Sequence, residues 1–190
     1  MTTLAPTLYI RTFPRIVGWL RDLTLIGLGA LFVAIFAQVK IPLPFTPVPL
    51  TGQTFAVLLV AAALGSRRGA ASMTFYIVLG AFGLPIFAGG ASGIAYLSGA
   101  TLGYLIGFVL AAYIVGLLAE RGLERSVRTS IIPFLVGTLI IYVCGVMWLA
   151  IVLGSFSKAI TLGLVPFLIG DAIKLIAAAL VLPAAWKLVK

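Results

Sequence analysis

Histidine is absent from the chain, cysteine occurs once, and only four residues are acidic. Without an imidazole there is no histidine general base and no His-based metal site. The single thiol, Cys144, lies in an apolar run beside Gly145, so no internal disulfide can form. Charged residues make up 9% of the sequence, against the roughly 25% of soluble domains. No GxxxxGK[ST] motif occurs, and the glycines follow no GxGxxG spacing, which removes the usual nucleotide cradles. The N-terminus is not expected to be a secretory signal, because the apolar segment from Asp22 onward is too long and no small-residue cleavage pattern ends it.

What remains is overwhelmingly apolar. Hydrophobic residues make up 63% of the 190, and the mean hydropathy is +1.26. This predicts an all-α membrane protein with one integral domain over 1–190 and six transmembrane helices near 22–39, 51–64, 69–82, 101–119, 131–153 and 162–186. Residues 1–21, with Arg11, Arg15, Arg21 and Trp19, read as a cytoplasmic or interfacial arm. The net charge of +9 does not point to nucleic acid, since the basic residues are scattered between hydrophobic runs and not gathered on one solvated face. Their distribution is topogenic. Ten of the thirteen Lys and Arg fall on one side, Lys40 and Lys158 on the other, and Lys174 within a span. Both termini are therefore expected in the cytoplasm of a cell-membrane protein.

Three segments then face outward. Lys40-Ile-Pro-Leu-Pro-Phe-Thr-Pro-Val-Pro-Leu50 carries four prolines and reads as a stiff, extended loop. A stretch from Gly83 to Gly99 combines glycines, Gly89 among them, with Phe87 and Tyr96. It reads either as backbone laid against a ligand or as a re-entrant connector. The third is 154–161, a short surface segment. Gln53 and Thr54 head a short span and serve either a cavity entrance or helix capping. Tyr104 is either an interface anchor or a hydrogen-bond donor to a bound molecule. Gly99, Gly103, Gly107 and Ala111 form a packing ridge on span four, and Gly27, Ala30, Ala34 and Ala37 a small-residue face on span one. The connector Glu120 to Arg128 has opposite charges at helical spacing and reads as a solvated turn.

Asp171 and Lys174 stand out. From Leu162 to Pro183 no other residue is ionisable, and intramembrane charges are expensive and usually functional. Their i,i+3 spacing puts both on one helix face, about 14 Å below the start of span six at 1.5 Å per residue. They read as a polar clamp in an outward-facing cavity, or as an ion pair that only fixes helix rotation. Ser/His, paired-acid and metal-ligand constellations are missing from the spans, so no catalytic residue, metal site or cofactor is expected.

Several motifs recur in a familiar order: Ile41-Pro-Leu-Pro, Pro49-Leu-Thr-Gly-Gln-Thr54, Leu64-Gly-Ser-Arg-Arg-Gly-Ala70, Gly83-Leu-Pro-Ile-Phe-Ala-Gly-Gly90, Gly103-Tyr-Leu-Ile-Gly-Phe108, Leu118-Ala-Glu-Arg121 and Gly170-Asp-Ala-Ile-Lys174. In this order they resemble the biotin-specific substrate-binding (S) component of energy-coupling-factor (ECF) transporters, the BioY family. The resemblance implies a six-helix S-component-like bundle that captures biotin from outside and works with a membrane coupling subunit and two ATPase subunits. It implies Asp171 and Lys174 as the binding pair, with Gln53 and Tyr104 facing the ligand and Phe87 and the glycine loop, Gly89 included, covering its apolar parts. Ala30 and Ala34 match the family's Ala-x-x-x-Ala surface for the coupling subunit. The chain departs from many relatives at Gly99-Ala-Thr-Leu-Gly-Tyr104, where they read Gly-Pro-Thr-Gly-Gly-Tyr. The competing expectation from the residues is a self-sufficient ion-coupled carrier using Asp171.

Overall fold

The structure, a computed structural model, describes residues 3–187; Lys190, counted above among the C-terminal cations, lies outside the described residues. The helices are α1 (Leu4–Thr12), α2 (Gly18–Gln38), α3 (Gln53–Leu64), α4 (Ser66–Ala81), α5 (Ile94–Leu97), α6 (Leu102–Glu120), α7 (Val127–Leu153), α8 (Phe156–Gly163) and α9 (Leu168–Lys187). Two short strands, β1 (Lys40–Ile41) and β2 (Leu50–Thr51), pair antiparallel with Lys40 opposite Thr51. They close the proline loop at its base.

Four helical stretches are long and apolar enough to cross a membrane: Gly18–Gln38, Leu102–Glu120, Val127–Leu153 and Phe156–Lys187. The architecture is an all-α, multi-pass membrane fold. α3 has 12 residues and α4 has 16, short of the roughly 20 that span a bilayer core. α3 tolerates this because it is the most enclosed helix, with Gln53, Leu64 and nearly every residue between Ala56 and Ala62 buried. Its length is set by protein neighbours and not by lipid.

Several boundaries differ from the sequence expectation, each for a local reason. Arg67 and Arg68 lie in the first turn of α4, not in a connector. Gly65, at φ +86°, makes the sharp turn from α3, and the Glu120 carboxylate at the far end of α6 accepts the N–H and hydroxyl of Ser66, both at 2.8 Å. An acid therefore sits where α4 exposes its first N–H groups. The segment 154–161, read from sequence as a surface connector, is mostly helical: Ser155 caps α8 by accepting the Lys158 N–H. Span six is broken, because Pro166 lies in a tight turn, Val165–Phe167, between α8 and α9.

The small-residue ridge on α6 packs against α7. A side chain at Gly103 would meet Trp148 and the Cys144 backbone, and one at Gly107 would meet the Ile141 backbone at 2.9 Å. On α9, Pro183 has no N–H to offer the carbonyl of Ala179. The buried hydroxyl of Ser130 on α7 donates to that carbonyl at 3.1 Å, which satisfies the orphan and ties the two helices together.

The connector after α6 is not wholly solvated. Glu124 is completely buried, neither carboxylate oxygen has a hydrogen-bond partner among the described residues, and Arg125 Nε stands 3.8 Å away. Burial pushes its carboxyl above the ordinary range, with Arg125 opposing. A raised carboxyl contributes stability that is fully present below the unfolded pKa, about 4.3, and is lost as pH rises through the folded value. Glu124→Gln should therefore unfold at higher temperature than the parent at pH 8, with the gap closing toward pH 4. Thermal unfolding in detergent across that range checks this.

Candidate ligand-binding site

The polar centre of the molecule lies where the first turns of α3 and α9 meet the middle of α7. Because span six is broken, Asp171 is in the first turn of α9 and not a third of the way down a longer helix. The positive end of the helix dipole favours a carboxylate there. Lys174, one turn on, reaches back to Asp171 Oδ1 at 2.7 Å. Its ammonium also donates to the Thr51 carbonyl at 2.7 Å and the Thr54 hydroxyl at 3.1 Å. Thr54 donates to Asp171 Oδ1 at 3.2 Å, and the Tyr142 hydroxyl donates to Oδ2 at 2.6 Å. The three ammonium protons are thus all used, whereas the carboxylate, with about four lone-pair sites, accepts three bonds.

A cavity of about 50 Å³ opens beside this network. Its polar end is made by Thr51, Gln53, Thr54, Tyr142, Asp171 and Lys174, and its apolar walls by Leu50, Ala88, Tyr96, Tyr104, Phe108 and Phe167. It is far smaller than the roughly 300 Å³ of a ligand pocket, so a ligand must push its walls apart. Two walls are short connecting segments: residues 48–51 from the proline loop and Tyr96 on the four-residue α5. The roof is nonetheless pinned. Thr46 donates to the Leu162 carbonyl of α8 at 2.7 Å, and Trp148 Nε1 donates to the Gly99 carbonyl at 2.9 Å.

The site residues expected from sequence separate into those on the cavity and those behind it. Asp171, Lys174, Gln53 and Tyr104 all line it. Gln53 is held at its back by Tyr76, accepting from Gln53 Nε2 at 2.7 Å, while Tyr76 donates to the Ile86 carbonyl at 3.0 Å. Tyr104 presents its ring, but its hydroxyl is already committed to the Gly163 carbonyl at 2.6 Å. Phe87 and Gly89 lie behind the wall. Phe87 is fully buried, stacked on Tyr96 at 4.8 Å and seated against Gly80, whose missing side chain leaves room for the ring. Gly89, at φ +70°, donates its N–H to Ala37 at the end of α2. Their neighbours Ala88 and Tyr96 take the cavity positions. Ala30 and Ala34 are buried in the bundle, so the outward surface of α2 is made by Leu23, Leu28, Leu31 and Ile35. Tyr142 and Thr54 complete the pair's network. Both were visible as polar groups in apolar spans, but only the fold brings them to Asp171. Among the described residues no group of three or more His, Cys, Asp or Glu is placed to hold a metal ion.

The chain matches the BioY family over residues 5–190. It is 43% identical over 150 residues to the probable biotin transporter BioY of Pyrococcus horikoshii, covering 78% of this chain and 88% of that one. It is 41% identical over 162 residues to the biotin transporter BioY of Thermotoga maritima, covering 85% and 94%. In fold it resembles the crystal structure of an S-component for biotin from an ECF-type ABC transporter, with a TM-score of 0.76, 24% identity and coverage of 90% of this chain and 95% of that chain. On the family match and these identities, the chain belongs to the BioY family.

Proposed function

We propose that this chain is the biotin-binding S component of an ECF-type uptake system, a membrane-embedded protein that binds and delivers its substrate without transforming it. The observation that carries the reading is one cavity with a charged, hydrogen-bonding end at Asp171 and Lys174 and an aromatic and aliphatic remainder. Biotin has the same division: a ureido ring with two N–H donors and a polarised carbonyl, joined to a thioether ring and an aliphatic tail. Relatives carrying the name biotin transporter support the same ligand. The ion-coupled carrier is not supported, since Asp171 is the cavity's one acid and is engaged by Lys174, Thr54 and Tyr142.

The hydrogen-bond inventory suggests how biotin docks. A ureido N–H takes the remaining acceptor position on Asp171 without displacing a partner. The ureido carbonyl takes a Lys174 proton now held by the Thr51 carbonyl, so binding loosens the strand–helix junction that β2 forms with α3. Tyr96, Tyr104 and Phe108 cover the rings. Phe87 and Gly89 contribute indirectly, Phe87 by backing Tyr96 and Gly89 by fixing the loop to α2. Biotin enters as the transported ligand, and no cofactor takes part.

The wider arrangement is a single integral domain whose six crossings are α2, α3, α4, α6, α7 and α9, with both termini cytoplasmic. The basic residues support this, ten lying on the inner side against two outside. The partners are a membrane coupling subunit and two ATPase subunits. We place the coupling subunit on α2, with the exposed Leu28, Leu31 and Ile35 at the centre of the contact, while Ala30 and Ala34, buried against the bundle, let α2 pack closely on its own neighbours beneath that surface.

Biotin titration of the purified protein tests the site. Lys174→Ala should weaken binding by about a hundredfold, as expected for loss of a charge-assisted bond, and should also destabilise the protein by leaving Asp171 unpaired. Asp171→Asn combined with Lys174→Met should regain stability but not affinity; unchanged biotin affinity in either variant would remove the pair from the site. Biotin methyl ester should bind within a few-fold of biotin if the ureido head is at Lys174, and desthiobiotin likewise. Tyr142→Phe, which frees Asp171 Oδ2, should lower affinity by about tenfold, in line with loss of a hydrogen bond to a charged group.

A further inference from the structure

On the far side of the Tyr142–Asp171 hydrogen bond from the ligand cavity lies a second concavity of about 580 Å³, between α7 and the α8–α9 segment. Leu139, Val143 and Met147 of α7 form one wall, and Phe156, Ile160 and Leu168 form the other. Tyr142 and Asp171 are shared by both cavities. Within a membrane-spanning helix, a groove lined this way is next to lipid and not water. It runs along the middle of α7, from Leu135 to Met147, and reaches α8 at Phe156 and Ile160, so its α8 end lies in the outer leaflet on the topology proposed above. α8 roofs it. Phe156 and Ile160, four residues apart, turn inward, while Ser157, Lys158 and Thr161 form an exposed polar face at the level of the headgroups. Lys158 makes no ion pair among the described residues, which leaves its cation available to an anionic phosphate.

We propose that this groove holds one acyl chain of an outer-leaflet phospholipid, with its phosphate at the Lys158 face of α8. The occupant is a lipid because the groove offers apolar contact along its length, meets the hydrocarbon core, and ends at a cation at headgroup depth. Its floor is the back of the biotin site, so the chain keeps water from Tyr142 and Asp171 and strengthens the network on the other side.

Native mass spectrometry of the purified protein with dioleoyl-phosphatidylglycerol tests this. The parent should retain one phospholipid. Val143→Trp fills the groove and should reduce retention about tenfold, an effect of lost chain burial; Met147→Trp is a second filling variant should the first not fold. Lys158→Gln should give a smaller loss, while Leu110→Trp, on the exposed apolar face of α6 and outside the groove, should give none. Biotin affinity should rise when phosphatidylglycerol is added to the parent and not to the filled variants. Retention in the filled variants equal to the parent, or equal loss with Leu110→Trp, would overturn the proposal. Loss of coupling-subunit assembly with lipid retention unchanged would assign the groove to a protein partner and overturn it too. These readouts do not depend on biotin being the ligand, except for the affinity arm.

Discussion

The structure turns on one carboxylate. Asp171 joins three helices, taking hydrogen bonds from Thr54 on α3, Tyr142 on α7 and Lys174 on α9. An ionised group at this depth costs several kcal/mol unless it is compensated, and each partner supplies part of the compensation. The helix N-terminus adds more. The same arrangement holds the bundle together and, on the proposed function, offers a ligand the two kinds of atom, acceptor and cation, that a urea-type ring can use. Stability and recognition therefore draw on the same atoms. The proline loop shares in this, because the carbonyl that Lys174 holds belongs to Thr51 at its base.

Much of this was legible in the sequence. The ionisable pair in an apolar run located the polar centre of the bundle, and the i,i+3 spacing gave the 2.7 Å contact. The glycine ridge on α6 was readable because a close helix approach needs missing side chains, and α7 comes against it. Gln53 and Tyr104, each left between two roles by the residues alone and put toward the ligand by the family resemblance, both line the cavity. What was not legible depended on contacts distant in the chain. Phe87 and Ala88 are adjacent in sequence, and nothing local decides which of them faces inward; the space left by Gly80 does. Tyr142 lies 29 residues from its partner Asp171. Ala30 and Ala34 share a spacing that suits an outer surface or an inner one, and α2 turns them inward.

Helix boundaries failed for another reason. Span six reads from sequence as unbroken over 162–186, because Pro166 sits among residues as apolar as itself. Glu124 was read as solvated because its neighbours are charged, yet the turn from α6 to α7 folds it under Arg125 and Trp186. In both cases composition described the surroundings of a residue along the chain, while the fold supplied different surroundings in space.

The break between α8 and α9 has a geometric consequence of its own. Tyr104 on α6 holds the Gly163 carbonyl at the end of α8, and the three-residue turn Val165–Phe167 then leads into the helix that carries Asp171. The number of residues in that joint sets the angular phase of α9. One residue more or fewer would rotate both charges by about 100° around the helix axis, at 3.6 residues per turn. The joint is thus a length standard: side chains along it can change, but its residue count cannot vary without turning the charged face toward lipid.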